Sequence, residues 1–309
     1  MTDILPQLNS RSKIVLENRK KVHAILNPVA GGGFASKSWP DILKILSHFE
    51  LTYSTTSGPG DAEKIAKKAI DDGNEYIACA GGDGTLNEIL QAVAGTETIL
   101  IPFSAGTGSD FIKNFQVEDS GKIREFVENG ISSTVDMGKI SMEGKEKFFL
   151  NIAEVGFGAM VTTRVNAHKK TRGSASFNAA IFRELLKFTP FNANIDSEDF
   201  HKEMEVSEII IANGKYFGGG IKAAPDALLD DGFLTVHIIH GAGRIRLLKK
   251  LGKLRDGTYI HDPMVTTIKV KEIKIAGRAL LEADGEDLGH APATFTVVPH
   301  SLRVLGPLK

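Results

Sequence analysis

The sequence predicts two regions in tandem, a parallel α/β domain followed by an antiparallel β-sandwich domain. Apolar runs alternate with helix-periodic segments as far as about Asp136, and strand-like runs with few helices between them follow. Many of the 32 glycines cluster: Gly31-Gly32-Gly33, Gly81-Gly82, Gly106 with Gly108, and Gly218-Gly219-Gly220. Three of those clusters fall just after apolar runs of the first half. The expected boundaries are residues 20–137, completed by 295–309, and residues 138–294.

Val22-His23-Ala24-Ile25-Leu26 reads as a buried strand, ended by Asn27-Pro28 and the first glycine cluster. A helix is expected over Ser36 to Phe49, with Trp39 beside Pro40 as a packing anchor, and strand character over Leu51 to Thr55. Asp61 is placed to cap a helix whose Ala62, Ile65, Ala66, Ala69 and Ile70 share a face. Tyr76 to Ala80 is a third strand, and the Leu86, Ile89, Leu90, Val93 spacing predicts a helix behind it, with Thr85 and Glu88 as a capping box. Strand, helix, strand, helix in this order makes a Rossmann-like parallel sheet.

In the second half Phe148 to Ile152, Glu208 to Ile211, Phe233 to Ile238 and Phe295 to Val297 have strand character. Between Thr267 and Ile275 the apolar phase breaks after Val270, which predicts a bulge or a turn. Helices are expected over about Ser174 to Phe188 and Gly243 to Leu254.

Charge and cysteine content narrow the function. Lysine plus arginine number 37 against 38 acids, a net charge of −1, so no global basic field favours nucleic acid. The single cysteine, Cys79, excludes an intrachain disulfide and CxxC chemistry and suits a cytoplasmic protein. It falls inside a strand and reads as a core residue. No apolar stretch reaches the roughly 18 residues that span a bilayer, and Met1 to Lys21 has no signal-like apolar core. Isolated histidines such as His168, His237, His240 and His261 show no ligand spacing.

The strongest motif is Gly81-Gly82-Asp83-Gly84-Thr85-Leu86-Asn87-Glu88, between a strand and a helix. Glycines there let backbone N–H groups approach an anion, and the helix N-terminus favours it. The aspartate would repel bare phosphate but suits phosphate accompanied by Mg²⁺. The same residues would also serve as a tight strand-to-helix turn. Asn27 to Gly33 and Ile101 to Phe111 stand in equivalent places after other strands, where ligands of open α/β sheets bind. Neither G-x-G-x-x-G nor G-x-x-x-x-G-K-[ST] occurs.

With these loops, Gly106-Thr107-Gly108-Ser109-Asp110-Phe111, Ala224 to Gly232 and Asp284-Gly285-Glu286, the chain resembles the diacylglycerol kinase catalytic family in its bacterial soluble lipid kinase branch, related to NAD and sphingosine kinases. The resemblance runs from about Lys21 to the C-terminus. It implies an ATP- and Mg²⁺-dependent kinase that phosphorylates the hydroxyl of a diacylglycerol-like lipid. It implies that ATP is held by Asn27, Pro28, Val29, Ala30 and Gly31, by Thr56, by Gly81, Gly82, Asp83, Gly84, Thr85, Leu86 and Asn87, and by Thr107. Asp83, Asp110 and Asp136 would surround the catalytic Mg²⁺, partly through water. A structural metal would take the Leu228 and Phe233 carbonyls and the Asp231 carboxylate, although Asp230-Asp231-Gly232 also reads as a plain turn.

Glu282 with Asp284, Glu286 and Asp287 puts four carboxylates within six residues, on its face a solvated turn. The resemblance makes Asp284 or Glu286 the group that takes the acceptor's proton; in an extended segment the two would share a face. Two departures from the family stand out. Ser109 replaces the usual asparagine, and Lys113 stands where a basic residue is usually arginine.

Two basic clusters remain. Arg244, Arg246, Lys249, Lys250, Lys253 and Arg255, interleaved with leucines, read as a basic amphipathic helix, or as an ordinary surface helix; Lys169, Lys170 and Arg172 form the second. They suit peripheral contact with a membrane surface that presents the lipid substrate. The sequence leaves the oligomeric state open, a homodimer included. An NAD kinase-like nucleotide kinase and a non-catalytic nucleotide- or lipid-binding regulator are the alternatives.

Overall fold

The computed structural model describes residues 19–104, 108–117, 121–167, 181, 183–241, 243 and 252–309. Strands β1 (Lys21–Leu26), β2 (Glu50–Thr55), β3 (Tyr76–Gly81) and β4 (Ile99–Ser104) lie parallel in the order β4-β3-β1-β2. Helices α1 (Phe34–Leu46), α2 (Asp61–Asp71) and α3 (Asp83–Val93) connect them, and α4 (Gly121–Glu128) follows. β3 is buried at every position, as a parallel strand covered on both faces must be, while β2 at the edge is largely open. α2 turns a stripe of Ala62, Ala66 and Ala69 inward, small enough for close packing on the sheet.

The second half is antiparallel: β5 (Ser132–Met142), β6 (Lys145–Phe149), β7 (Ile152–Gly156), β8 (Phe191–Ser197), β9 (His201–Ala212), β10 (Leu234–His240), β11 (Val265–Val270), β12 (Glu272–Ala276), β13 (Leu280–Ala283), β14 (Glu286–His290) and β15 (Ala293–Leu305). Helix α5 (Phe157–Ala167) follows β7 and lies on β13 and β14. A mixed sheet thus joins a parallel α/β part to a sandwich-like β part. β15 is the seam. Its first residues pair antiparallel with β12 and β5, while Arg303 and Val304 run parallel to Ile99 and Leu100 of β4. One core gathers around Ile25, Ile77, Leu90 and Leu100, a second around Val155, Ile195, Ile211 and Phe295.

Several local expectations change. The first helix begins at Phe34, two residues early, and contains Pro40; Trp39 stacks edge-on against Tyr53 at 5.6 Å. Gly60, at φ 79°, takes the N-cap of α2, and Asp61 instead accepts the Ser57 and Gly58 N–H groups at 2.9 and 3.1 Å, closing the preceding turn. The Thr85–Glu88 capping box does not form, because α3 starts earlier, behind Gly82; Thr85 bonds Asn27 and Glu88 accepts the Ala62 N–H. The break after Val270 is the turn between β11 and β12, and Phe148 to Ile152 splits between β6 and β7. Both basic clusters and the helix expected before Phe188 fall largely outside the described residues. Among the described residues no helix is long and apolar enough to cross a membrane.

Candidate active site

The carboxyl ends of β1 and β3 meet where the first two glycine loops begin. Asn27 donates its backbone N–H to the Ala80 carbonyl (3.0 Å) and its side-chain amide to Thr85 Oγ1 (2.9 Å), tying the two loops together. Gly81 has no room for a side chain, since a Cβ there would lie 2.6 Å from that of Thr85. Thr56, buried, is fixed by its N–H on the Leu26 carbonyl at 2.9 Å. The tight turn and a ligand-binding loop are therefore the same structure. Thr107 lies outside the described residues.

Asp83 is the first residue of α3, and its Oδ1 accepts the Asp110 N–H at 3.0 Å. Burial, with Asp110 and Asp284 adding negative charge nearby, raises its carboxyl to about 6. Asp110, 4% exposed, holds the Lys113 ammonium at 2.8 Å and accepts the Gly219 N–H at 2.8 Å. The glycine run left without a role in the sequence finds one here. Gly218, Gly219 and Gly220 all have positive φ, and paired N–H···O bonds between Phe217 and Ile221 close them into a tight turn that delivers that amide. Lys113 supplies the positive charge that its position promised.

Asp284 and Glu286 do not share a face. They flank the turn between β13 and β14, with Asp284 at φ 46° and Gly285 at φ 85°. The Asp284 carboxylate turns inward and accepts four N–H donors: Leu150 N (2.6 Å) and Asn87 Nδ2 (2.9 Å) on Oδ2, Asn151 N (3.0 Å) and Ile152 N (3.2 Å) on Oδ1. Burial still raises its carboxyl above the ordinary range, against those bonds. Glu286 turns outward to an ion pair with Lys147, its side chain 44% exposed. Helix α5 clamps the turn through Asn166 Nδ2 on the Gly285 carbonyl (2.9 Å) and Thr163 Oγ1 on Asp287 (2.8 Å). Gln91 on α3 exchanges two hydrogen bonds with the Phe148 backbone, so the α/β part is tied to β6, the strand that leads into the Leu150 to Ile152 amides.

Asp136 has hydrogen-bond partners different from those of Asp83 and Asp110. It is fully buried, its two oxygens accept the His300 N–H (2.8 Å) and the Gly232 N–H (2.7 Å), and its own N–H binds the Leu229 carbonyl (2.6 Å). Its environment is the loop expected to hold a structural metal, and it secures that loop on β15. There Asp231 accepts the Phe233 N–H (3.1 Å) and pairs with Lys269 Nζ at 2.6 Å. An ammonium balances the loop's carboxylate here, and that carboxylate with the Leu228 and Phe233 carbonyls is an oxygen donor set of the kind a hard cation takes. Cys79 is buried, with its thiol pushed up to about 12, consistent with packing and not with nucleophilic chemistry.

A cavity of about 750 Å³ opens beside Asp83, Asp110 and Asp284 and runs along α5, lined by apolar groups such as Phe157, Val161, Ile210 and Phe217. Three glutamates, Glu154, Glu208 and Glu282, also line it. Sequence reasoning passed over Glu154 and Glu208; the available signal was an acid inside each of the apolar runs Ile152 to Val155 and Glu208 to Ile211.

Residues 21–140 match the diacylglycerol kinase catalytic domain, and residues 151–306 match the YegS C-terminal NAD kinase beta sandwich-like domain. A curated "Diacylglycerol kinase" of Mycobacterium tuberculosis is 28% identical over 93% of this chain and 95% of its own. A Pseudomonas syringae pv. tomato protein named "Probable lipid kinase YegS-like" is 31% identical, over 83% and 84%. Among solved structures, a diacylglycerol kinase from Bacillus anthracis str. Sterne shares the fold at a TM-score of 0.71 and 21% identity, covering 94% of this chain and 98% of that one. An NAD kinase from Archaeoglobus fulgidus, solved in complex with ATP, shares it more distantly, at 0.55 and 14%, covering 92% and 93%. Motifs that sit on a continuous cleft, two matched halves and a relative of this identity over most of its length agree: the chain belongs to the diacylglycerol kinase catalytic family, in its YegS-like lipid kinase branch, and is a phosphotransferase acting on an alcohol.

Proposed function

We propose that this lipid kinase transfers the γ-phosphate of ATP, with Mg²⁺, to the hydroxyl of a diacylglycerol-like lipid. The observation that carries the reading is the single cavity in which acids held by backbone amides adjoin a long apolar wall. Its volume is that of a small-molecule pocket, and its lining suits acyl chains. A soluble nucleotide acceptor would leave that wall unused.

Within this reading the residues divide the work. Asn27 to Gly31, Thr56 and Gly81 to Asn87 would hold ATP at the strand ends, with α3 presenting its N-terminus to phosphate. The crowding of Asp83 by Asp110 and Asp284 is the charge excess that a hard divalent cation relieves, so the donor set fits Mg²⁺, and Asp83 and Asp110 would hold it. Bound there, Mg²⁺ would neutralise charge on the transferring phosphoryl group. Lys113 adds a fixed positive charge beside Asp110.

Glu286 is the base. The Asp284 oxygens are already occupied by four donors, whereas Glu286 has one ion-pair partner, the half-buried Lys147, to exchange for the acceptor hydroxyl. The hydroxyl oxygen forms the new bond to phosphorus, the bond to ADP breaks, and the proton passes to the Glu286 carboxylate. Asp284 is the positioning residue that fixes the turn carrying it. The acceptor would be drawn from a membrane surface, which co-sedimentation with anionic and neutral vesicles would check.

The decisive test is incubation with labelled ATP, Mg²⁺ and a total lipid extract, followed by identification of the phosphorylated product. A labelled glycerolipid is expected. Label confined to soluble nucleotides would favour an NAD kinase-like activity. Absence of any thermal shift with MgATP would favour a non-catalytic protein.

A further inference from the structure

The strands β13, β7 and β9 are neighbours in the sheet, and their register brings three glutamates together. Glu282 stands directly opposite Glu154, and Glu208 is opposite Gly156, two residues along from Glu154. Because side chains alternate along a strand, all three lie on one face, the face that lines the cavity. They are only 2 to 4% exposed. Gly158 makes the room, since a side chain there would collide with the Glu154 carboxylate.

Three buried acids facing a cavity are costly for a fold, and aliphatic residues would fill the same strand positions more stably. Burial and the acids' own proximity raise all three carboxyls, Glu154 to about 7, and among the described residues no cation is one of the groups that act on them. The contact between Glu282 and Glu154 favours a proton on Glu282, which also accepts the Gly285 N–H at 2.8 Å. Glu208 differs. Its Oε2 accepts the Gly158 N–H at 2.5 Å, while Oε1, itself buried, finds no hydrogen-bond partner among the described residues. A carboxyl with one oxygen bound to a backbone donor and the other without a partner, on a residue that lines the cavity beside its apolar wall, takes its proton on the free oxygen when neutral. That is a donor awaiting an acceptor, and an unmet group of this kind is expensive.

We propose that Glu208, backed by the Glu154–Glu282 pair, is a specificity site that donates a hydrogen bond to an ester carbonyl oxygen of an uncharged acceptor lipid, beside the hydroxyl that receives phosphate. It selects neutral oxygenated lipids over lipids whose linkages lack a carbonyl and over amines. The inference rests on the lipid-acceptor reading above, because the same cavity must hold the acceptor.

The test is equilibrium binding without ATP, run beside the phosphorylation assay, with dioctanoylglycerol, its dioctyl diether analogue and sphingosine as probes. The native protein is expected to bind the diester about tenfold more tightly than the diether. Glu208→Gln, whose amide still donates, should keep that preference, and Glu208→Leu should erase it by weakening the diester alone. Equal binding of diester and diether by the native protein would overturn the site. So would tightest binding of sphingosine that is lost in Glu208→Gln, which would mean charged glutamates holding an ammonium. If Glu208→Leu fails to fold, Glu208→Met supplies the same loss of donor with different packing. Diester bound with the expected preference but never phosphorylated would leave the site standing and overturn the kinase reading.

Discussion

Two groups of acids line one cavity, and they are treated in opposite ways. Asp110 and Asp284 are surrounded by donors: a lysine and the Gly219 amide for one, three backbone amides and Asn87 for the other. Glu154, Glu208 and Glu282 are buried as deeply as Asp110 and more deeply than Asp284 yet have few donors between them, and burial raises all three carboxyls. Backbone N–H groups oppose the effect of burial at Asp284, where burial still prevails, and such groups are scarcer around the three glutamates. Asp83 sits between the extremes, with its carboxyl at about 6. The donor-rich group can work on phosphate and metal, while the donor-poor group can only recognise something neutral.

The sharpest way to break this contrast is Asp83→Asn. It removes the charge that would hold Mg²⁺ while keeping the shape, and activity with labelled ATP should fall about 10³-fold or more, a loss typical of removing a central electrostatic contact. Its unfolding temperature should hold or rise, because a crowded buried carboxylate has been neutralised. Retained activity would remove Asp83 from the chemistry. Next comes Glu286→Gln, expected to lower kcat by roughly 10²–10⁴, the range of general base catalysis, with little change in stability because its ion pair is exposed. Asp284→Ala should do the converse in part. It strands three backbone amides and the Asn87 side chain, so stability should drop by about 2–4 kcal/mol in denaturant titration, with activity lost alongside as the turn loosens.

Those three variants also mark where the sequence was legible. The parallel half could be read because each strand is an unbroken apolar run and each helix carries a 3.6-residue stripe, so β3 and α3 are placed by pattern alone. The glycine loops could be read because only glycine tolerates their geometry. The long-range partners could not. Nothing near Gly219 announces that its amide serves Asp110, 109 residues away, and nothing near Asp284 shows that the Leu150 to Ile152 amides converge on it. Asp136 shows the same limit, since its partners Gly232 and His300 lie 96 and 164 residues away along the chain. Periodicity reports which face is buried; it does not report which charge meets which amide.

The donor-poor group makes a prediction in pH. The native state raises Glu154 to about 7, and Glu208 and Glu282 well above their usual range, so between roughly pH 4.5 and 7 it binds more protons than the unfolded chain. Stability from these groups is complete below the unfolded value and is lost as pH rises through the native one. Thermal unfolding should therefore occur several degrees higher at about pH 5.5 than at pH 8. Glu208→Gln should flatten that dependence. An unfolding temperature that rises from pH 5.5 to 8 would show that these acids ionise at no cost, and the contrast with Asp284 would collapse.

The smallest expected effect tests how firmly the donor-rich group is held. Ser109, immediately before Asp110, has a φ of 51°, a region that serine enters with strain and asparagine enters more readily. Its hydroxyl is hydrogen-bonded to that of Ser104 at 2.7 Å, which offsets part of the cost. Ser109→Asn, restoring the residue usual in the family, trades that bond for backbone ease, and the balance should be a gain of a few tenths of a kcal/mol, read as an unfolding temperature about 1 °C higher. KM for ATP should fall modestly if the loop, and with it the Asp110 amide on Asp83, is better ordered. A loss of stability would mean that the Ser104–Ser109 bond, not the backbone, keeps Asp110 in place, and that the donors around this acid are themselves held by side chains.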